Sequence, residues 1–165
     1  MKNTVIIFGS TTGTCESLAG QIAAKLGVNK IVNAASLDAS VVEAAENLIL
    51  GTSTWGCGDL QDDWYEALDI IKSANLSGKT VVLFGCGDSM SYCDSFCGGM
   101  AELYNAAKAA GANVIGQVST DGYSFDASAA VVDGKFVGLA LDEDNEAGKT
   151  TDRINAWADA ILPLL

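Results

Sequence analysis

Histidine is absent from the chain, and proline occurs once, at Pro163. Without histidine there is no Ser–His or Cys–His nucleophile, no histidine-ligated metal and no histidine ligand for haem iron. The expectation is that chemistry in such a chain is carried by a bound cofactor. Basic residues are scarce: 9 Lys and Arg against 21 Asp and Glu give a net charge of −12. That balance argues against nucleic acid and anionic membranes as partners and favours basic ones, although acidity by itself marks only solubility. No apolar run approaches the length of a membrane span. The N-terminus enters an apolar run within a few residues, which leaves no room for a secretion signal. Five cysteines, an odd number without scaffold spacing, point to unpaired thiols in a reducing cytoplasm. At 165 residues the expectation is one domain, 1–165, able to bury its core without staples.

What is present is concentrated at residues 4–17, which read T-V-I-I-F-G-S-T-T-G-T-C-E-S. Val5, Ile6, Ile7 and Phe8 form a continuous apolar run, the pattern of a strand buried on both faces. Gly9 ends it. Ser10, Thr11, Thr12, Gly13 and Thr14 follow, and from Cys15 the apolar positions Leu18, Ala19, Ile22, Ala23 and Leu26 recur at helical spacing. A strand, a hydroxyl-rich loop and a helix start make an anion site, because unpaired amides and the positive end of the helix dipole face the loop. No Lys or Arg lies in the loop, so the nucleotide-hydrolysing pattern G-x-x-x-x-G-K-[ST] fails. The spacing of Gly9 and Gly13 fails G-x-G-x-x-G, and no arginine follows Cys15 closely enough for a cysteine phosphatase. One hydroxyl would cap a helix; this loop has four, and they fit a phosphate held by amides and hydroxyls alone.

Strand and helix patterns then alternate. A weak strand at Lys30–Ala34 precedes a helical stretch at Ser40–Ala45. A third strand, Asn47–Leu50, ends in the Gly51–Gly56 loop, and a helix at Asp62–Ala74 follows. Thr80–Phe84 reads as the fourth strand, ending in Gly85-Cys86-Gly87-Asp88, and Ser95–Ala110 as a helix burying Phe96, Met100, Leu103, Tyr104 and Ala107. Asn113–Val118 starts a fifth strand that resumes at Val137–Leu141, after residues 120–137 with a hairpin at Val132-Asp133-Gly134-Lys135. Asp152–Leu162 is the last helix, with Ile154, Trp157, Ala158 and Ile161 inward. This alternation implies an α/β fold of three layers, a parallel sheet with helices on both faces. Its ligand would lie beyond the carboxyl ends of the strands.

Three strand ends carry unusual residues: the hydroxyl loop; Thr54-Trp55-Gly56-Cys57-Gly58-Asp59; and Gly87-Asp88 with Tyr92. Trp55 and Tyr92 suggest a planar ligand between two rings, and Asp88 an acceptor for a ring N–H at its edge.

At F-G-S-T-T-G-T (8–14), S-T-W-G (53–56), D-L-Q-D-D-W (59–64), F-G-C-G-D (84–88) and F-V-G-L-A-L-D-E-D-N (136–145) the chain resembles flavodoxin over essentially its whole length. The insertion at 120–137, with D-G-Y-x-F at 121–125, is similar to the long-chain branch. The resemblance implies strand order 2-1-3-4-5 with FMN at the switch between strands 1 and 3, an order the family itself exemplifies. It implies that Ser10, Thr11, Thr12, Gly13, Thr14 and Cys15 hold the FMN phosphate, with Trp55 inside and Tyr92 outside the flavin. Asp88 would lie near the pyrimidine edge and Asp144 near the ribityl chain, with Thr54, Gly56, Cys57, Cys86, Gly87 and Cys97 completing the surroundings. Thr14 and Cys15 stand where Asn and Thr are usual, so a weaker thiol donor replaces one hydroxyl. Cys86 and Ser89 likewise replace residues more often Thr and Gln.

The function implied is a low-potential one-electron carrier, not an enzyme, moving between semiquinone and hydroquinone. Gly56 can take positive φ, letting the 56–57 carbonyl turn toward the protonated flavin N5 and favour the neutral semiquinone. The next electron makes an anionic ring among Asp59, Asp62, Asp63 and Asp88, which drives that step to low potential. The acidic run Asp59, Asp62, Asp63, Glu66 and Asp69 reads either as a solvated face or as a docking surface for basic redox proteins, a reductase and electron-accepting enzymes, met by a monomer. An FMN-dependent NAD(P)H:quinone-type reductase on the same fold is the alternative, and it needs an open pocket over the flavin. A signalling receiver domain would need an aspartate where Gly51-Thr52-Ser53 stands. An iron–sulfur protein using Cys57, Cys86, Cys93 and Cys97 would break the usual cluster spacings.

Overall fold

The computed structural model describes residues 1–165. The strands are β1 (Thr4–Gly9), β2 (Ile31–Asn33), β3 (Asn47–Trp55), β4 (Asp59–Leu60), β5 (Thr80–Cys86), β6 (Asn113–Ile115), β7 (Val118–Ser119), β8 (Val131–Val132), β9 (Lys135–Phe136) and β10 (Leu139–Leu141). The helices are α1 (Thr14–Leu26), α2 (Ala39–Ala44), α3 (Trp64–Ser73), α4 (Met100–Ala109), α5 (Glu143–Glu146) and α6 (Thr150–Ile161).

The main sheet is parallel in the order β2-β1-β3-β5, with β6 and β10 sharing the lane beside β5. That is the expected order, with the fifth strand cut in two. Alternate residues of the central strands face opposite layers, so the continuous apolar runs serve two cores. Ile6, Phe8, Ile49, Val82 and Phe84 pack against α1 and α6. Val5, Ile7, Leu48, Leu50, Val81 and Leu83 pack against α3, α4 and Val42 of α2. Each fully buried Val, Leu, Ile or Phe contributes about 1.5–3 kcal/mol. On α1 the buried stripe is Cys15, Leu18, Ala19, Ile22, Ala23 and Leu26, the stripe its sequence period predicts.

Several boundaries depart from the sequence reading, among them the end of β5 at Cys86 and the start of α6 at Thr150. β3 does not end at Leu50 but runs on to Trp55, because Thr52 and Ser53 are paired to Gly85 and Cys86, then Thr54 and Trp55 to Leu60 and Asp59. Trp55 therefore ends a strand and does not sit in a loop. α3 starts at Trp64, after Asp62 and Asp63. α4 starts at Met100, not Ser95, because Cys97 is left-handed at φ 52° and Gly98 and Gly99 lie close against Gly58 and the Ser53 carbonyl. The interruption of the fifth strand runs from Gly116 to Gly138, wider than 120–137 at both ends. Val118 belongs to a separate three-stranded antiparallel sheet, β7-β9-β8, that includes the expected hairpin. Tyr123, Phe125 and Phe136 of this insertion pack on Phe96, with Arg153 stacked 3.9 Å over the Tyr123 ring. Burial pushes the Tyr123 hydroxyl up to about 12, and it donates to the Ala140 carbonyl at 2.8 Å.

Candidate functional site

β1, β3, β5 and β10 all end on one edge, and the segments there bound a groove of about 210 Å³. Thr12 and Thr14 reach it from beyond β1; Ser53, Thr54 and Trp55 from β3; Cys86, Gly87, Asp88 and Tyr92 from β5 onward; and Glu143 and Asp144 from beyond β10. A larger depression, about 390 Å³, lies between α2 and α3, where no strand ends.

The anion loop is built from α1 outward. Gly13 is its N-cap at φ 91°, and no side chain caps the helix. The Ser17 N–H gives the first intrahelical bond, to the Gly13 carbonyl at 3.0 Å. The amides of Thr14, Cys15 and Glu16 therefore have no acceptor within the helix. The four hydroxyls divide. Ser10 Oγ accepts from the Gly13 N–H at 3.1 Å, and Thr11 Oγ1 accepts from Gln61 Nε2 at 3.0 Å, so these two brace the loop. The hydroxyls of Thr12 and Thr14, 3.5 Å apart, stand at the groove. Gln61 is itself buried and packs over Gly9, where a Cβ would come within 2.3 Å of Gln61 Oε1.

Cys15 corrects the expectation of a thiol donor to phosphate. Its side chain is 0% exposed, and its hydrogen bond with Cys86, followed by burial, holds the thiol well above its usual pKa. Only its backbone amide faces the loop side. Cys97 is a second correction: fully buried, with Sγ 3.7 Å from the Leu141 carbonyl, it lies beneath the groove and not in its wall. Burial raises its pKa well above the usual value too. Gly87 must lack a side chain, since a Cβ would sit 2.8 Å from the Cys97 amide nitrogen. Cys86 alone among the buried thiols reaches the groove.

The two aromatic rings are exposed, Trp55 by 43% and Tyr92 by 53%. The Trp55 indole N–H donates to Ser53 Oγ at 2.9 Å, which fixes the ring from within its own strand. Gly56, Cys57 and Gly58 return the chain to β4, with Gly56 at φ 54° and Gly58 at φ 97°. Cys57 is exposed on that turn. Thr54 Oγ1 accepts from the Gly99 N–H at 3.1 Å, tying β3 to the start of α4.

Asp88 Oδ1 accepts from the Ser91 N–H at 2.9 Å, the Met90 N–H at 3.2 Å and Asn145 Nδ2 at 2.8 Å. The Ser91 amide, then Asn145, hold its carboxyl below the usual range. Asp144 is shifted the other way, by lost hydration and then by the charges of Asp88, Asp142 and Glu143. In the acidic run, Asp59, Asp62, Glu66 and Asp69 are exposed, whereas Asp63 turns inward, Oδ2 accepting from the Ser10 N–H at 3.4 Å. Cys57, Cys86, Cys93 and Cys97 do not converge; the one trio of metal-competent groups is Cys93, Asp94 and Asp126.

Gln61, Ser53, Glu143 and Asn145 escaped the sequence reading as site residues. All four lie inside the stretches that carry the family resemblance, and that placement is their only signal in the sequence.

Residues 6–157 match the family model described as flavodoxin. The flavodoxin of Picosynechococcus sp. is 39% identical over 99% of this chain and 98% of its own. The flavodoxin of Buchnera aphidicola is 40% identical over 99% of this chain and 97% of its own. A crystal structure of Fusobacterium nucleatum flavodoxin bound to flavin mononucleotide superimposes with a TM-score of 0.93 at 33% identity, covering 100% of this chain and 99% of that one.

Proposed function

The chain belongs to the flavodoxin family, and from that premise we propose that it carries single electrons on FMN held non-covalently in the groove at the sheet edge. FMN, when bound, supplies a ring system that accepts and returns electrons one at a time. The observation that carries this reading is an uncapped helix end on the same groove as two exposed aromatic rings. The amides of Thr14, Cys15 and Glu16, with the Thr12 and Thr14 hydroxyls, would hold the phosphate. No lysine or arginine stands in that loop, so the helix end would be the source of positive charge facing the phosphate. Trp55 and Tyr92 would flank the ring, Trp55 in the orientation that Ser53 imposes.

The surrounding carboxylates set the direction of the potential. Asp88, Glu143 and Asp144 line the groove, and negative charge added among them is poorly compensated. The site therefore favours giving electrons up. With Tyr92 lining the groove, its ring would cover the face of the bound flavin that a hydride donor needs, which disfavours the reductase alternative. Asp59 follows the Trp55 turn at the groove, and Asp62, Glu66 and Asp69 carry exposed negative charge from there along α3, fitted to redox partners with basic surfaces. No helix is long and apolar enough to cross a membrane, and all five thiols are unpaired, as suits a protein of the reducing cytoplasm.

Stepwise anaerobic reduction of the purified protein, followed by visible absorption, tests the proposal. A yellow protein that develops a long-wavelength blue band at half reduction, then bleaches, is the expected result. Direct bleaching would favour the two-electron reductase. A colourless protein that refuses added FMN would overturn the reading.

A further inference from the structure

Two loops that bound the groove are tied by side-chain hydrogen bonds arranged as a closed ring. From the loop after β5, the Ser89 hydroxyl donates to Asp142 Oδ2 in the segment after β10. In return, Asn145 Nδ2 donates to Asp88 Oδ1 at 2.8 Å and to Asp142 Oδ1 at 3.0 Å. Asp88 and Ser89 are chain neighbours, which closes the ring. Asp142 is 0% exposed and also accepts from the Asn145 backbone N–H at 3.2 Å, so its buried carboxylate is well supplied with donors.

The ring bears on Tyr92 through Asp88. Asp88 Oδ1 gathers the Met90 and Ser91 amides, and its carbonyl accepts the Tyr92 N–H at 2.9 Å. The carboxylate is therefore the pivot of the turn that delivers the Tyr92 ring. Two acidic side chains from different loops, Asp88 and Asp142, meet here with a neutral amide between them. Glu143 and Asp144 add charge nearby, and no lysine or arginine is bonded into the ring. A primary amide has two hydrogens, one for each carboxylate. Take it away and like charges face one another across the seam of two loops.

We propose that Asn145 is a positioning residue for the cofactor site: its side-chain amide, shared between Asp88 and Asp142, holds the Tyr92 loop closed over the groove. The part of this that concerns FMN rests on the function proposed above.

Asn145 is exposed, so substituting it removes no core packing. Asn145→Asp keeps the shape and removes the donors, while Asn145→Ala removes both. In cofactor-free protein, both variants should raise the titration midpoint of the Asp88 carboxyl, read by NMR, and speed amide exchange at Ser91 and Tyr92. With FMN as the probe, the dissociation constant should rise about 10- to 100-fold, the loss of one hydrogen bond to a charged group. Asp88 titration and exchange rates equal to wild type in both variants would overturn the proposal. A wild-type protein that took up no FMN would instead refute the cofactor reading, and the Asp88 titration would still decide the role of Asn145.

Discussion

Gly56 shows how much a single position can hold. It stands at φ 54°, where a β-branched residue is strained, and a Cβ there would lie 2.6 Å from Asp59 Oδ2. Gly56→Val should therefore lower stability by about 1–3 kcal/mol, the cost of one residue forced into a sparse backbone region. The same change stiffens the 56–57 peptide, so less half-reduced cofactor should accumulate when the loaded variant is titrated with reductant. Urea unfolding and spectroelectrochemistry read the two effects, and a variant equal to wild type in both would show that the turn has room for a side chain. The glycine itself was legible in the sequence, because it follows an aromatic residue at a strand end. The bond from the Trp55 indole to Ser53 was not, since no local pattern distinguishes a serine that orients a ring from one that faces water.

Among elements, β3 was the hardest to bound. Thr52, Ser53 and Thr54 are polar and follow a glycine, so the run reads as a loop once Leu50 is passed. It remains a strand because Gly9, Gly85 and Cys86 of the flanking strands and Leu60 of β4 supply partners, which is tertiary information. Gly51 is the counterpart inside that strand. It pairs with Phe84, and a Cβ on it would come within 2.0 Å of the Phe84 ring. Gly51→Ala should cost about 1–3 kcal/mol through overpacking, lowering Tm by about 2–4 °C per kcal/mol in a chain of this size. Calorimetry measures this directly; an unchanged Tm would mean that the ring finds another berth. α4 failed in the opposite sense. Phe96 falls on the helical period and is buried, yet the glycine pair at 98 and 99 keeps its segment out of the helix. Periodicity reports which residues face the core, and only backbone packing decides which conformation brings them there.

For the whole molecule, the alternation of strands and helices was legible because each buried run and each amphipathic stripe is complete in itself. The net charge of −12 was equally plain, but its distribution was not. Asp63 turns inward to the Ser10 amide, while Asp59, Asp62, Glu66 and Asp69 stay in water. Such exposed charge acts over roughly 10 Å at 0.1 M salt. Electron transfer to a basic partner protein should therefore slow as salt rises from about 0.01 to 0.5 M, across which this screening length shrinks severalfold. Glu66→Gln should lower the association rate while leaving the cofactor's potential unmoved. Stopped-flow rates independent of salt would remove the docking role from this face.

The divided lane beside β5 carries one more consequence. Ile115 lies opposite Val82 and Leu139 opposite Phe84, so the chain departs and re-enters with a single rung between. Its return is indexed by the neighbouring strand and not by how many residues were spent away. Asp142 and Asn145 follow the re-entry at Leu139, so their place at the carboxyl edge is set by the pairing of Leu139–Leu141 with β5. The excursion nevertheless stays fastened to the body it leaves, since Phe136 packs on Phe96, the Tyr123 hydroxyl bonds the Ala140 carbonyl, and the Asp126 and Ala127 amides reach the Cys93 carbonyl just past Tyr92.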